Sequence, residues 1–322
     1  MIAISIMIEG QQGLTWPRWQ RLAAEVESLG FAGLFRSDHF TDAEPPSRAS
    51  LETVVSLGYL ATATSRVHFG PLVAPVSFRD PVMLARQAAA IDDLSGGRLI
   101  LGLGAGWQER EHALFGYELG DVPTRMARFE EALEVTTRLL RHEAPAPFAG
   151  RFYQLREGAA LLPRPQRPGG PQLMIGGNGP KRTLPLAARY ADVWNAAGLH
   201  PDVFRERSAT LDRLLSEAGR ARADVRRTLM VGSLFAADEA SFERELRRAA
   251  PRELAGLPHD ELLARAQRQW YGLRGTPEMV RGQVAECAAA GVEELMVQWL
   301  DMDDIEGLRA LAASVLPLAS GA

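Results

Sequence analysis

The chain has 322 residues, 46% of them hydrophobic and 24% charged, with a formal net charge of −4. A chain of this kind buries a large core, as two ordinary domains or as one α/β barrel, and the reading favoured here is a single domain over 1–322. The charge is spread without long blocks and no apolar run approaches the ~20 residues that span a bilayer, which argues against nucleic-acid and membrane partners.

A single cysteine, Cys287, excludes an intramolecular disulfide. With an N-terminus that starts in a strand instead of a signal peptide, the expected location is the cytoplasm. Ile2 to Ile8 reads as that first strand, and a helix over about Pro17 to Leu29 carries Trp19, Leu22, Val26 and Leu29 on one face before Gly30 ends it. Phe31 to Phe35 is the second strand, followed by a helix over about Ser50 to Thr64. Val67 to Val73 is a buried third strand. Asp80 then caps a helix whose first position is Pro81, where a missing N–H costs nothing, and Ser95-Gly96-Gly97 stops it. Leu99 to Leu103 returns parallel to the third strand, so that both strand ends open on one side of the sheet.

Thr124 opens a fourth helix with Met126, Phe129, Leu133, Thr136 and Leu140 on its buried face. The stretch 143–171, rich in proline and glycine, is too long for a plain turn and reads as a surface excursion placed to cover a site. Strands at Leu173 to Ile175 and Asp192 to Asn195 then alternate with helices from about Lys181 to Tyr190 and Pro201 to Ala218. Thr228 to Phe235 is the seventh strand, and a polar, helix-prone insertion over 236–272 follows it. Thr276-Pro277-Glu278 starts a helix with a capping side chain, Val292 to Val297 is the eighth strand, and Ile305, Leu308, Leu311 and Val315 mark the closing helix. Eight strands alternating with eight helices predict a (β/α)8 TIM barrel, with insertions after helix 4 and strand 7, over an open doubly wound sheet.

Reactive groups of such a barrel come from the carboxyl ends of its strands. After strand two, Arg36-Ser37-Asp38-His39-Phe40 brings a carboxylate and an imidazole to the mouth, where a histidine can bond a substrate or move a proton near neutral pH; a loop held by an Asp cap and a backbone-bonded histidine is the plainer reading. After strand three, Gly70-Pro71-Leu72-Val73-Ala74-Pro75 is an uncharged strand end whose backbone can press on a planar ring, or an ordinary barrel corner. After strand four, the glycines of Gly102-Leu103-Gly104-Ala105-Gly106-Trp107 let backbone approach a ligand, and Trp107 can wall a pocket. Neither a Walker lysine nor a Rossmann setting accompanies them. After strand five, Gly176-Gly177-Asn178-Gly179-Pro180-Lys181-Arg182-Thr183 runs into a helix, an anion site suited to a phosphate ester; a glycine turn with solvated basic residues is its alternative. No HExxH, histidine cluster or CxxC pair suggests a metal, and no GxSxG serine suggests acyl chemistry.

In this order the loops resemble the luciferase-like monooxygenase superfamily over nearly the whole chain. The matching pieces are SDHF from Ser37, LVAPVSFRDPVMLARQAAAIDDLSGGRLILGLGAGW from Leu72 to Trp107, the following EREHALFG, MIGGNGPKRTLPLAARYADVWN from Met174 to Asn195, and GTPEMV from Gly275. The wording is most similar to the coenzyme F420-dependent oxidoreductases of that superfamily. The resemblance implies a barrel, often a homodimer, holding the deazaflavin F420, or alternatively FMN, at the carboxyl ends of its strands. It implies that Asp38 contacts the ring edge, that His39 faces the substrate, and that Leu72-Val73 forms a bulge with a non-prolyl cis peptide that backs the ring. Gly176, Gly177 and Asn178 would bind the phosphate, reinforced by Lys181 and Arg182. Two positions depart from the F420-dependent alcohol and sugar-phosphate dehydrogenases: Ala43 stands where they carry a tryptophan and Trp107 where they carry a catalytic glutamate.

The expected activity is hydride transfer between F420 and a small organic substrate, with His39 as polar contact or proton donor. The alternatives are a two-component monooxygenase that takes reduced FMN from a separate flavin reductase, a flavin-binding protein without turnover, and an unrelated phosphate-binding isomerase with Glu109 or Glu111 as base. A separate F420 reductase is the corresponding partner in the first case.

Overall fold

The computed structural model describes residues 2–251, 254 and 256–320. In chain order the first half contains β1 (Ala3–Ile8), α1 (Trp16–Leu29), β2 (Gly33–Arg36), α2 (Thr53–Ala63), β3 (His68–Pro71), β4 (Ala74–Pro75), α3 (Pro81–Leu94), β5 (Ile100–Gly104), α4 (Glu109–Phe115) and α5 (Val122–Arg141). A small antiparallel pair, β6 (Phe148–Ala149) with β7 (Gln154–Leu155), lies in the proline-rich stretch. The second half adds β8 (Gln172–Gly176), α6 (Thr183–Tyr190), β9 (Val193–Ala197), α7 (Pro201–Glu217), β10 (Arg226–Phe235), α8 (Glu239–Ala249), α9 (His259–Gln269), β11 (Gly272–Gly275), α10 (Pro277–Ala289), β12 (Glu294–Gln298) and α11 (Ile305–Ser320).

The main sheet runs β3-β2-β1-β12-β10-β9-β8-β5-β4, with all neighbours parallel. Strands β3 and β4 are two pieces of one barrel strand interrupted at Leu72-Val73. The bridge Phe69↔Leu99 and the pairs Ala74↔Leu103 and Pro75↔Gly104 therefore join both ends of the sheet and make a parallel TIM barrel. The interruption explains why the sequence reads 67–73 as one continuous strand.

Alternation along each strand sorts the core into two layers. Ile4, Ile6 and Ile8 face the helices, with Leu34, Leu101, Leu173, Trp194 and Val297. Met7, Phe35, Leu72, Ile100, Met174, Val193 and Met296 fill the lumen. The period of two is the rule that decides which loop residues look into the barrel mouth.

The helix starts follow their capping chemistry. Asp80 accepts from the amides of Val82 and Met83, both at 3.0 Å, with Pro81 at the first position. Asp121 caps α5 through Thr124 at 2.8 Å, two residues ahead of the expected start, and α4 is an additional short helix before it. Thr276 differs from expectation: it is extended but its side chain makes no capping bond, and Pro277 alone marks the start of α10.

The first insertion plays a role other than the one read from the sequence, and the second, for which no role was read from the sequence, reaches the site. The stretch 143–171 does not cover the barrel mouth. Glu131 of α5 accepts from the amides of Arg151, Phe152 and Tyr153, while Arg167 pairs with Asp92 of α3 and donates to the Leu99 carbonyl, so the stretch lies along α3 and α5. The second insertion instead reaches the mouth. Helices α8 and α9 pack on one another through Phe242, Leu246 and Leu262, and β11 adds parallel to the far end of β10, leaving Trp270 over Gly198 and Gly232. Among the described residues, no helix is long and apolar enough to cross a membrane.

Candidate functional site

A cavity of about 750 Å³ opens at the carboxyl ends of the strands. One wall is the interruption of the third barrel strand. The Leu72-Val73 peptide is cis, the Leu72 amide donates to the Arg36 carbonyl at 2.7 Å, and Val73 packs against the lumen cluster. Glycines make room for it: a Cβ on Gly104 would fall 2.5 Å from Val73 Cγ2, and one on Gly176 3.0 Å from Val73 Cγ1. Gly104, Ala105, Gly106, Gly176 and Gly177 continue this uncharged surface, and Trp107, 62% exposed, stands at its edge.

His39 also lines the cavity, and its position follows from the alternation of β2. Phe35, Ser37 and His39 turn inward, whereas Leu34, Arg36 and Asp38 turn toward the helices. His39 Nδ1 lies 2.8 Å from Glu111 Oε1, and Glu111 Oε2 accepts from the Phe40 amide at 2.9 Å. Glu111 is buried, in the first turn of α4, while the edge of Trp107 meets the imidazole at 5.5 Å between centroids. A carboxylate can only accept, so Nδ1 carries the hydrogen and Nε2 is left for the cavity. Burial of His39 disfavours its cation, but the hydrogen bond and charge of Glu111 outweigh it and raise the pKa above the ordinary histidine value.

The remaining polar lining comes from strand ends. Glu9, Asn195 and Gln298 follow the lumen residues Met7, Val193 and Met296 by two positions, as a period of two requires. Glu9 accepts from Gln298 Nε2 at 2.5 Å and from Gln11 Nε2 at 2.9 Å. Gln11 Oε1 in turn accepts from Ser37 Oγ at 2.6 Å, which itself accepts from the Gly10 amide at 2.9 Å. Below them Asn195 donates to Thr228 Oγ1 at 2.9 Å.

Of the residues singled out in the sequence, the structure brings His39, Leu72, Val73, Gly104, Ala105, Gly106, Trp107, Gly176 and Gly177 to one cavity, and leaves Asp38, Asn178, Lys181 and Arg182 out of its lining. Asp38 turns outward just beyond β2, where Arg79 Nε and Nη2 engage its two oxygens at 2.8 and 2.7 Å and anchor the loop. The Asn178 amide bridges both backbone groups of Ala197, accepting from its N–H at 3.0 Å and donating to its carbonyl at 2.8 Å. The amides of Thr183 and Leu184 donate to Gly179, and that of Gly177 to Asn195, so these donors are already paired; Lys181 and Arg182 are exposed beyond them. Glu9, Gln11, Gln298 and Trp270 were not singled out from the sequence, and Glu111 was weighed only as the base of an isomerase. Period-two counting from the lumen methionines is the signal that finds Glu9 and Gln298.

A family model described as luciferase-like monooxygenase matches residues 2–300. The chain belongs to the luciferase-like monooxygenase family. An F420-dependent glucose-6-phosphate dehydrogenase of Kineococcus radiotolerans is 26% identical over 313 residues, covering 92% of this luciferase-like chain and 91% of the relative. The coenzyme F420-dependent tetrahydromethanopterin reductase of Methanopyrus kandleri superposes with a TM-score of 0.78 at 19% identity, over 98% of this chain and 99% of that one. A riboflavin lyase solved with modified FMN and riboflavin gives 0.80 at 16% identity, over 100% and 92%. The solved structures establish the likeness of fold.

Proposed function

We propose that this luciferase-like chain is an F420-dependent oxidoreductase that moves a hydride between the deazaflavin and a small organic substrate, with His39 handling the proton. The observation that carries the reading is an imidazole fixed by a buried carboxylate, His39 on Glu111, in the same cavity as the glycine-lined bulge at Leu72-Val73. The relative from Kineococcus radiotolerans, named for F420 and aligned over most of both chains, supports the choice of coenzyme.

The residues present fit a ring-shaped redox group. The bulge and Gly104, Ala105, Gly106, Gly176 and Gly177 offer backbone and aliphatic surface that places no charge against a ring, and the cavity exceeds what a small substrate needs. Those residues would hold the ring, and the loop from Gly177 to Arg182 would lie toward a phosphate. F420, when bound, supplies a carbon that accepts or delivers hydride. The protein's own part is to orient the substrate, exclude water and hold a proton at His39 Nε2. Glu111 fixes the tautomer that makes this possible and favours the charged imidazole.

The test is anaerobic: reduced F420 is mixed with a carbonyl panel, and oxidised F420 with an alcohol and amine panel, while deazaflavin absorbance is followed. The reading expects turnover with at least one substrate, and a His39→Ala variant slowed by about 10²-fold or more with F420 affinity little changed. Oxygen uptake with reduced FMN, and none of these changes with F420, would replace it by the monooxygenase reading. The proposal includes a second copy of the chain as partner, for which the outward, more than half-exposed Val55 of α2 and Met83 of α3 supply apolar surface; light scattering at the mass of one chain would remove that part. A cytoplasmic location and a separate F420 reductase complete it.

A further inference from the structure

The cavity has a second chemical character beyond its ring-binding wall. Among the described residues that line it, none is lysine or arginine, and the acids Glu9 and Asp42 are accompanied by the amides Gln11, Gln12, Gln108 and Gln298. The guanidinium groups near the rim point elsewhere. Arg110 donates to Thr41 Oγ1, the Asp42 carbonyl and Ser47 Oγ, Arg125 to the Gly106 carbonyl, and Arg274 to Gln267 and the Trp270 carbonyl.

Glu9 is built to hold a charge in one place. Each of its oxygens receives one amide N–H, from Gln298 and from Gln11, and Gln11 is itself fixed through Ser37 to the Gly10 amide. A carboxylate with two oxygens has about four acceptor positions, so two amide donors leave capacity for a further donor. The glutamine N–H groups hold the Glu9 carboxylate in one orientation without neutralising its charge. Asp42, on the same lining, adds a second carboxylate, and the neighbouring Gln108 is spent on the loop, its Nε2 donating to the Thr41 carbonyl at 2.9 Å. The charged side chains that the lining can offer a ligand are therefore mainly acidic, which favours a ligand that carries positive charge.

We infer that the substrate subsite of this cavity takes a small cationic molecule carrying a protonated amine, with Glu9 as its principal acceptor and Asp42 on the same lining, and that it excludes phosphate esters. The inference rests on the oxidoreductase reading above and names the substrate class for it. A phosphate group in this subsite would meet Glu9 and Asp42 against one cationic side chain, His39, whose charge Glu111 already offsets, and this like-charge encounter disfavours binding in a partly desolvated cavity. Glucose-6-phosphate-type substrates are therefore not expected here, although a relative is named for one.

The experiment is calorimetric binding of three probes of one skeleton, cyclohexylamine as its ammonium ion, cyclohexanol and cyclohexyl phosphate, to the full chain with and without saturating F420. The expected result is ammonium bound about tenfold or more tightly than the alcohol, the equivalent of about 1.4 kcal/mol, with the phosphate ester weakest. Glu9→Gln should bring ammonium and alcohol to within about twofold, and Asp42→Asn, at a rim position independent of the Glu9 network, should reduce the gap in part. Phosphate bound as tightly as ammonium, a preference unchanged in both variants, or no saturable binding of any probe would overturn the inference. F420 titrated in parallel separates the two levels: F420 bound with phosphate preferred overturns the substrate class alone, whereas no F420 binding overturns the reading beneath it.

Discussion

Replacing Glu111 by glutamine tests the His39 pair with almost no change in shape. In the wild-type chain one Glu111 oxygen accepts from the Phe40 amide at 2.9 Å and the other faces His39 Nδ1 at 2.8 Å. If the glutamine oxygen keeps the Phe40 bond, its NH2 must face Nδ1, which can then only accept; the imidazole becomes neutral with its hydrogen on Nε2. The carboxylate side chain is 1% exposed and the imidazole 14%, so solvent screens the lost charge weakly. A hydrogen bond to a charged partner contributes about 1.5–3 kcal/mol. The His39 pKa, raised in the wild type, should fall below the ordinary value, because burial then acts unopposed. Because the folded pKa lies above the unfolded value of about 6.5, the pair contributes its full stability below that value and loses it as pH rises through the folded pKa. Glu111→Gln should therefore be most destabilising at acid pH and nearly neutral at alkaline pH. Histidine NMR titration reads the pKa directly, and denaturant unfolding at several pH values reads the stability. An unchanged His39 pKa would refute the assignment, as would a destabilisation that grows with pH.

Three further substitutions separate the site from its supports. Gly104→Ala places a methyl against Val73, 2.5 Å from Cγ2 before any relaxation, and should weaken F420 binding by about tenfold or more by displacing the bulge; fluorescence titration measures it, and unchanged affinity would detach the bulge from the ring. Asp38→Ala leaves Arg79 with Glu52 as its one carboxylate partner and should cost about 3 kcal/mol of unfolding free energy; a variant of wild-type stability that has lost F420 would return Asp38 to the site. Gly177 sits at φ +133°, where side chains are strained, so Gly177→Asp should reduce F420 affinity much more than Lys181→Glu, whose exposed charge is screened to an effect of about threefold or less at physiological salt. The reverse order would place the phosphate on the lysine.

Much of the fold was legible because its strands and helices carry their own signals. Asp80-Pro81 and Gly30 mark helix ends in the sequence and do so in the structure. The break in the third barrel strand was legible only through the family likeness, since Leu72 and Val73 are as apolar as the strand they interrupt. Asp38 and His39 are adjacent in sequence, but consecutive side chains of an extended segment face opposite ways, so His39 reaches the cavity lining and Asp38 meets Arg79. Counting by twos from Met7 and Met296 reaches Glu9 and Gln298, which the composition of the loops alone did not reveal. Trp270 comes from an insertion whose polar helices give no hint in sequence of where their end is placed. Asn178 illustrates a different limit: nothing in its glycine-rich setting told that its side-chain amide holds the loop to Ala197.

The most direct test of the whole account is to titrate the purified protein with F420 and with FMN in parallel, reading ligand fluorescence for the wild type and for Gly104→Ala. Saturable binding of F420 at one site per chain, tighter than FMN and weakened by the added methyl, is the predicted result. Absence of saturable F420 binding, or binding indifferent to the methyl beside Val73, would contradict the claim that this barrel mouth seats a deazaflavin.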